Sequence, residues 1–119
     1  MKLSGVMLGT EDAKKLGDFY TKILGKPGWQ EGDWYGFYTD GSLMIGPHSE
    51  VKGKNHTPGR IMITFESDDV PAEFDRIKAA GAEVIAKPYL PGKDNKDMWL
   101  ATFADPDGNY FQLATPWKE

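Results

Sequence analysis

The hydrophobic positions follow two kinds of spacing, and the first part of the chain shows both. In the segment from Leu3 to Gly9, Val6 and Leu8 alternate with Gly5, Met7 and Gly9, which is typical of a β-strand. From residue 13 onward apolar residues recur every three or four positions, which predicts an amphipathic helix. Its buried stripe comprises Ala13, Leu16, Phe19, Tyr20, Ile23 and Leu24. Thr10 is its predicted N-cap, and Gly25 with Pro27 predicts its end.

Three further strands are predicted before residue 48. The segment 29–33 predicts a short and irregular strand, because glycine interrupts it. The segment 34–38 is rich in aromatic residues, which favour a pleated surface. Asp40 and Gly41 form a hairpin signal, so we expect the residues 42–46 to return as its second strand.

The same order of elements is predicted again after the polar segment that follows. A strand at 60–65 precedes a helix that Asp68 or Asp69 caps and that Gly81 ends. The apolar stripe of this helix comprises Val70, Phe74 and Ile77. Three more strands are predicted at residues 83–86, 99–103 and 110–114. Each half of the chain therefore contains a strand, a helix and three further strands.

This repetition predicts an internal duplication. Module one comprises residues 1–48, a polar linker residues 49–59, and module two residues 60–119. One helix covers only one face of a sheet, so the other face must meet another module or a ligand. We therefore expect an α+β fold built from two βαβββ modules.

Composition and charge exclude several classes of function. The 119 residues can bury one core, and the absence of cysteine excludes disulfides and thiolate metal sites. No apolar run is long enough to span a membrane, and residues 1–5 lack the apolar stretch of a signal peptide, so we expect a cytoplasmic protein without a membrane partner. The net charge of −4 and the scattered basic residues argue against nucleic acid binding. An acidic balance slightly favours cationic ligands, although ordinary solubility explains it more simply.

Two motifs resemble a known superfamily. The segment 103–113 reads Phe-Ala-Asp-Pro-Asp-Gly-Asn-Tyr-Phe-Gln-Leu, and the segment 18–25 reads Asp-Phe-Tyr-Thr-Lys-Ile-Leu-Gly. They resemble the terminal hairpin and first helix of the vicinal oxygen chelate superfamily, which includes glyoxalase I, extradiol dioxygenases, fosfomycin-resistance enzymes and bleomycin-binding resistance proteins. The resemblance implies curved mixed sheets around a central cavity, formed by two modules from one chain or from two. It also implies a homodimer, since dimers are common among members of this length.

The resemblance further implies four metal-ligand positions. They fall on Gly5, on Ile45 or Gly46, on Arg60 and on Gln112. None of these residues is a usual ligand of a divalent metal, so we expect neither a metal nor another cofactor.

Two histidines in or beside the linker are the remaining candidates for a metal site. His48 and His56 lie there with Glu50 near by. A loop is a poor cage for a metal, and the strands offer no partner ligands. We therefore expect solvent-exposed histidines.

Strand alternation identifies the residues expected to face the cavity. If Phe103 and Phe111 pack beneath the helices, neighbouring residues of the same strands face the other way. The predicted ligand-binding residues are Trp34, Tyr38, Arg60, Met62, Thr102, Tyr110 and Gln112. Ile61, Ile63 and Phe65 are predicted core residues, and Trp29 and Trp99 are predicted core or interface residues.

These residues suggest how a ligand is held. Arg60 and Gln112 would donate or accept hydrogen bonds to oxygen-bearing groups, while Trp34, Tyr38 and Tyr110 would stack on a planar part. Alternatively, Arg60 opens toward solvent or pairs with a glutamate of a dimer partner.

Three functions remain open at this point. The first is a small-molecule-binding protein that resembles bleomycin-type resistance proteins and holds a partly aromatic ligand, with antibiotic resistance as a possible role. The second is a glyoxalase-like lyase or another enzyme of the superfamily with a non-standard or absent metal site. The third is a subunit whose own side chains fill the cavity and which serves only in dimerisation.

Overall fold

A computed structural model describes residues 1–38, 40–92 and 97–116 of the chain. The chain divides into two compact units, Met1–Lys54 and Asn55–Glu119. The boundary between them lies within the predicted linker. Each unit contains one helix and one four-stranded sheet, which confirms the predicted α+β class with two βαβββ modules.

The first unit pairs its strands in the order β1-β4-β3-β2. Its elements are β1 (Val6–Thr10), α1 (Ala13–Leu24), β2 (Trp29–Glu31), β3 (Trp34–Phe37) and β4 (Leu43–Pro47). Strand β1 runs parallel to β4, and the other neighbours are antiparallel. The sheet is therefore mixed, and β1 and β2 form its edges.

Helix α1 begins two residues later than predicted. Thr10 is the last residue of β1, and Asp12 is the N-cap whose Oδ1 accepts a hydrogen bond from the backbone N–H of Lys15 at 3.1 Å. The hydroxyl of Thr10 instead accepts a hydrogen bond from the backbone N–H of Asp12. The predicted end is confirmed, since Gly25 has φ 94° and donates its N–H to the carbonyl of Thr21.

The core of the first unit lies between α1 and the sheet. Leu16, Tyr20, Phe37 and Ile45 are fully buried there. Gly17 lies against the ring of Tyr35, and a Cβ at this position would overlap that ring. Burial raises the pKa of Tyr35, and the nearby carboxylate of Asp18 adds to the rise. The close approach of helix and sheet thus depends on a glycine.

The second unit repeats this arrangement in the order β5-β8-β7-β6. Its elements are β5 (Ile63–Glu66), α2 (Val70–Ala79), β6 (Glu83–Tyr89), β7 (Leu100–Ala104) and β8 (Tyr110–Ala114). Strand β5 runs parallel to β8, while the other pairs are antiparallel. Strand β6 extends three residues beyond its predicted end and contains two irregularities in its pairing with β7.

An aromatic stack forms the core of the second unit. Phe74 of α2 stacks on Phe103 at a centroid distance of 5.1 Å, and Phe103 stacks on Phe111 at 5.5 Å. The prediction that Phe103 and Phe111 pack beneath the helix is therefore confirmed. Asp69 is the N-cap of α2, as one of the two predicted alternatives, and accepts a hydrogen bond from the N–H of Ala72.

The start of β5 was predicted wrongly. The strand begins at Ile63 rather than at Arg60, and Ile61 is 71% exposed instead of lying in the core. The cause is a turn in which the N–H of Arg60 donates to the carbonyl of Thr57 at 3.0 Å. The strand alternation therefore holds from Ile63 onward only.

In the described ranges neither helix has the length and apolar character needed to cross a membrane.

Candidate functional site

A row of polar side chains crosses the face of the second sheet that points away from α2. Because Phe103 contacts the helix, its neighbour Thr102 lies on the opposite face. Thr102 pairs with Gln112 across β7 and β8, and Gln112 pairs with Thr64 across β8 and β5. The side chain of Gln112 donates from Nε2 to Oγ1 of Thr64 at 2.8 Å. We call this side the helix-free face of the second unit.

The hydrogen bond to Thr64 fixes the orientation of the Gln112 amide. With Nε2 engaged, the carbonyl oxygen Oε1 accepts no hydrogen bond from the described residues, so it can accept one from a ligand. Thr102 is only 7% exposed, whereas Tyr110 and Gln112 are half-buried. The structure thus brings together three of the predicted ligand-binding residues with Thr64, which strand alternation also places on this face.

Arg60 and Met62 lie outside this row. Both precede β5, and Arg60 is exposed and forms no ion pair with a described residue. This agrees with the alternative in which Arg60 opens toward solvent. The strand argument that placed the two residues inside the cavity no longer applies, and their contact with a ligand stays a prediction.

In the first unit the predicted site residues are Trp34 and Tyr38. Trp34 lies on the face opposite α1, where its ring occupies the space that a Cβ of Gly46 would need. Tyr38 follows the last residue of β3, so strand alternation does not apply to it. Its φ is 67°, in the left-handed region that side chains rarely adopt, and burial raises the pKa of its phenol.

The structure adds Trp29 as a candidate. Of its two predicted placements, core or interface, the core is wrong, since Trp29 is 48% exposed on β2 and lies against Gly36 of β3, and the interface stays a prediction. The only signal that could have identified it is the pairing of a tryptophan with a glycine across two strands. That pairing becomes visible only when the register is known.

The metal-ligand positions of the first unit cannot hold a ligand side chain. A Cβ at Gly5 would lie 2.5 Å from the carbonyl oxygen of Ser42, which already accepts the N–H of Val6. Ile45 is fully buried on the α1 side of its strand, and the space beside Gly46 is filled by Trp34. Neither position offers an oxygen, nitrogen or sulfur donor.

The two positions in the second unit do not fit a divalent metal either. Arg60 is a permanent cation, and Gln112 carries a neutral amide that is hydrogen-bonded to Thr64. In the described segments no group of three or more His, Asp or Glu side chains could hold a metal ion. Nδ1 of His48 accepts the N–H of Glu50 at 3.2 Å, so it is engaged within its own loop.

The terminal turn is a structural feature. Asp105 is 3% exposed, and its carboxylate accepts hydrogen bonds from the N–H groups of Asp107 and Asn109 and from Nδ2 of Asn109. Asn55 braces the turn, because its N–H donates to the carbonyl of Asp107 at 2.8 Å and its Nδ2 to Oδ1 of Asn109 at 3.0 Å. Asp105 therefore holds the end of the hairpin that positions Tyr110 and Gln112.

Comparison with known proteins identifies the relatives of this chain. The family described as "Glyoxalase-like domain" matches residues 5–114. The protein YetH of Bacillus subtilis (strain 168), which is uncharacterised, is 27% identical over 123 residues that cover 94% of this chain and 96% of YetH.

Two crystal structures show the same fold. A glyoxalase-related enzyme from Fulvimarina pelagi is 19% identical with a TM-score of 0.75, and the alignment covers 98% of this chain and 88% of that one. The fosfomycin resistance protein FosX from Listeria monocytogenes is 22% identical with a TM-score of 0.72, over 98% of this chain and 94% of FosX.

Proposed function

The chain belongs to the family of glyoxalase-like domains, within the vicinal oxygen chelate superfamily, and from this premise we propose that it is a small-molecule-binding protein. It holds a partly aromatic ligand by stacking and hydrogen bonds, without a metal ion. The observation that carries the proposal is the row formed by Thr102, Gln112 and Thr64, in which an oriented amide stands at a position where metal-dependent members carry a ligand.

The chemistry of this row favours binding of a ligand with a hydrogen-bond donor. The amide oxygen of the half-buried Gln112 accepts no hydrogen bond from a described residue, so leaving it unsatisfied costs free energy unless a ligand or water donates to it. The hydrogen bond that Nε2 of Gln112 donates to Oγ1 of Thr64 keeps the amide oxygen pointing in one direction, so little conformational entropy is lost when a ligand binds. Tyr110 on the same face offers a ring for stacking.

The remaining parts of the proposal concern assembly and biological role. We expect a homodimer, because the superfamily is commonly dimeric. We also expect a cytoplasmic location, as predicted from the sequence. Binding of an antibiotic is one role that fits, since FosX is a fosfomycin resistance protein. Arg60, Met62, Trp34 and Tyr38 stay in the proposed ligand-binding set.

Ligand screening by thermal shift tests the proposal. The full chain is heated with a panel of small aromatic compounds, and separately with Mg²⁺, Mn²⁺, Ni²⁺ or Zn²⁺. We expect at least one compound to raise the melting temperature of the unmodified chain, and to raise that of Gln112→Leu less, since this variant lacks the amide oxygen. Gln30→Leu is the matched control, because Gln30 is an exposed glutamine on β2 of the first unit.

Two outcomes would contradict this function. A specific metal-induced rise of several degrees that disappears in His48→Ala or Gln112→Leu would favour the enzyme alternative. Equal stabilisation of both glutamine variants by every active compound would show that the Gln112 row does not bind the ligand.

The expected homodimer has its own test. Light scattering after size-exclusion chromatography gives the molar mass and thus shows whether the chain is a dimer.

A further inference from the structure

The face of the first sheet that points away from α1 has an unusual composition. Tyr35 contacts Gly17 of the helix, so Trp34 and Gly36 lie on the opposite side of β3. The strand register extends this face across the sheet in two rows. One row contains Trp29, Gly36, Met44 and Met7, and the next contains Glu31, Trp34, Gly46 and Gly9. We call this side the helix-free face of the first unit.

The two tryptophans lie against glycines of the neighbouring strand. A Cβ at Gly36 would stand 3.2 Å from Cε3 of Trp29, and a Cβ at Gly46 would overlap Cε3 and Cζ3 of Trp34. Neither glycine has the positive φ that would require glycine for the backbone alone. Their lack of a side chain therefore leaves room for the two indoles, which lie against the sheet surface.

A groove lined by methionines lies at the β1 edge of this face, at the other end of the row from Trp29. Met7 and Met44 pair across β1 and β4, and with Val6 and Gly41 they line an open groove of about 220 Å³. Met7 is 44% exposed, and Trp29 at the other end of the row is 48% exposed. Thioethers are polarisable and adapt to the shape of an aromatic partner. The row thus offers an apolar surface with an open groove at one end.

Charge distinguishes this surface from an ordinary apolar patch. All strand residues of the face are described, and Glu31 is the one charged side chain among them. It lies opposite Trp34 in the register and forms no ion pair with a described residue. Indole faces carry negative electrostatic potential, and a carboxylate beside them adds to it. A cation is therefore the complementary charge.

From this combination we propose that the helix-free face of the first unit binds planar aromatic cations. The rings of Trp29 and Trp34 stack on the planar system, Glu31 balances its charge, and Met7 and Met44 contact a substituent that extends into the groove. This inference rests on the proposed small-molecule binding and specifies the chemical class of the ligand. An anionic or non-planar compound lacks one of the two complementary features.

Calorimetric titration of the full chain tests this ligand class. The probes are proflavine as a three-ring planar cation, 9-anthracenecarboxylate as a three-ring planar anion, and tetraethylammonium as a non-planar cation. We expect proflavine alone to bind, with an affinity that falls as the salt concentration rises. Equal binding of 9-anthracenecarboxylate, or binding of tetraethylammonium only, would overturn the inference.

Variants of the face separate stacking from charge. Trp29→Leu keeps an apolar residue but loses the indole, so we expect proflavine affinity to fall about 2- to 30-fold. Glu31→Gln should reduce it about 2- to 5-fold and remove much of its salt dependence. Asp75→Asn on α2 removes the same charge from the other unit and should leave affinity unchanged. Circular dichroism confirms that each variant is folded.

The same titrations distinguish this inference from the proposed function. If the probes bind in a manner that Gln112→Leu abolishes while Trp29→Leu and Glu31→Gln do not change it, the proposed function stands and the planar-cation surface is refuted. If neither these probes nor the wider panel bind the unmodified chain, both the proposed function and the planar-cation surface are refuted. Gly46→Ala is a second test, because its methyl group overlaps the Trp34 ring and should displace it without removing it, which should also weaken proflavine binding.

Discussion

Removal of the Asp105 carboxylate should destabilise the second unit strongly, because the terminal turn is built around this group. The carboxylate is almost completely buried and accepts from two backbone N–H groups and one side-chain amide. Hydrogen bonds to a charged acceptor each contribute about 1.5–3 kcal/mol. The donors belong to half-buried residues, Asp107 and Asn109, so water replaces part of the loss.

These contacts set the expected magnitude. Taking the low end of each contribution and allowing for water, Asp105→Ala should cost about 3–4 kcal/mol. A chain of this length is stable by roughly 5–15 kcal/mol, so the variant would retain only part of its stability. At roughly 3–6 °C per kcal/mol, the melting temperature should fall by about 10–20 °C. Asp105→Asn should cost less, because one oxygen remains to accept the backbone N–H groups.

Urea unfolding followed by circular dichroism measures these differences. Asp107→Asn is the matched control, because it removes the same charge from the same turn while only the backbone of Asp107 takes part in the hydrogen bonds described. We expect the control to change stability by about 0.5 kcal/mol or less. If Asp105→Ala and Asp107→Asn unfold at the same urea concentration, the turn network does not contribute as argued.

Two further predictions concern packing and pH. Gly17→Ala should destabilise the first unit by about 1–3 kcal/mol despite the better helix propensity of alanine, because the new methyl group overlaps the buried ring of Tyr35. Urea unfolding measures this, and Gly59→Ala, with open space around it, is the control. The hydrogen-bonded guanidinium of Arg76 lowers the pKa of Glu73, so their pair should stabilise above the ordinary pKa of 4.5 and be lost as the pH falls through the lowered value. Both side chains are partly exposed, so Glu73→Gln should cost only about 0.3–0.5 kcal/mol at pH 7 and less as the pH falls through the lowered pKa, and a cost that does not decrease on acidification would refute the assignment.

The elements that local patterns determine could be predicted from the sequence. The apolar stripe of α1 and its end at Gly25 follow from helical spacing and from the need for a positive φ. Phe103 and Phe111 could be assigned to the helix side because the period of a strand is two. The Gln112 row follows from the same period, counted from the hairpin at Asp105.

The parts that could not be predicted depend on contacts between distant segments or on competition between neighbouring residues. Thr10 and Asp12 can both cap a helix, and the pairing of Thr10 with Pro47 decided between them. Asn55 braces the hairpin from 54 residues away. Trp29 lies against Gly36 only because of the register between β2 and β3.

The unusual residues at the metal-ligand positions of the first unit are linked by packing rather than independent. At Gly5 the backbone of Ser42 approaches too closely for any side chain, and this approach is the hydrogen bond that joins β1 to the start of β4. At Gly46 the indole of Trp34 takes the place of a side chain. A metal donor could therefore be introduced at either position only by moving a strand or the half-buried ring of Trp34, which costs far more than the exchange of one surface residue. Packing on the helix-free face of this unit thus favours aromatic contact over a metal, in keeping with the proposed recognition of a ligand by its rings and its charge.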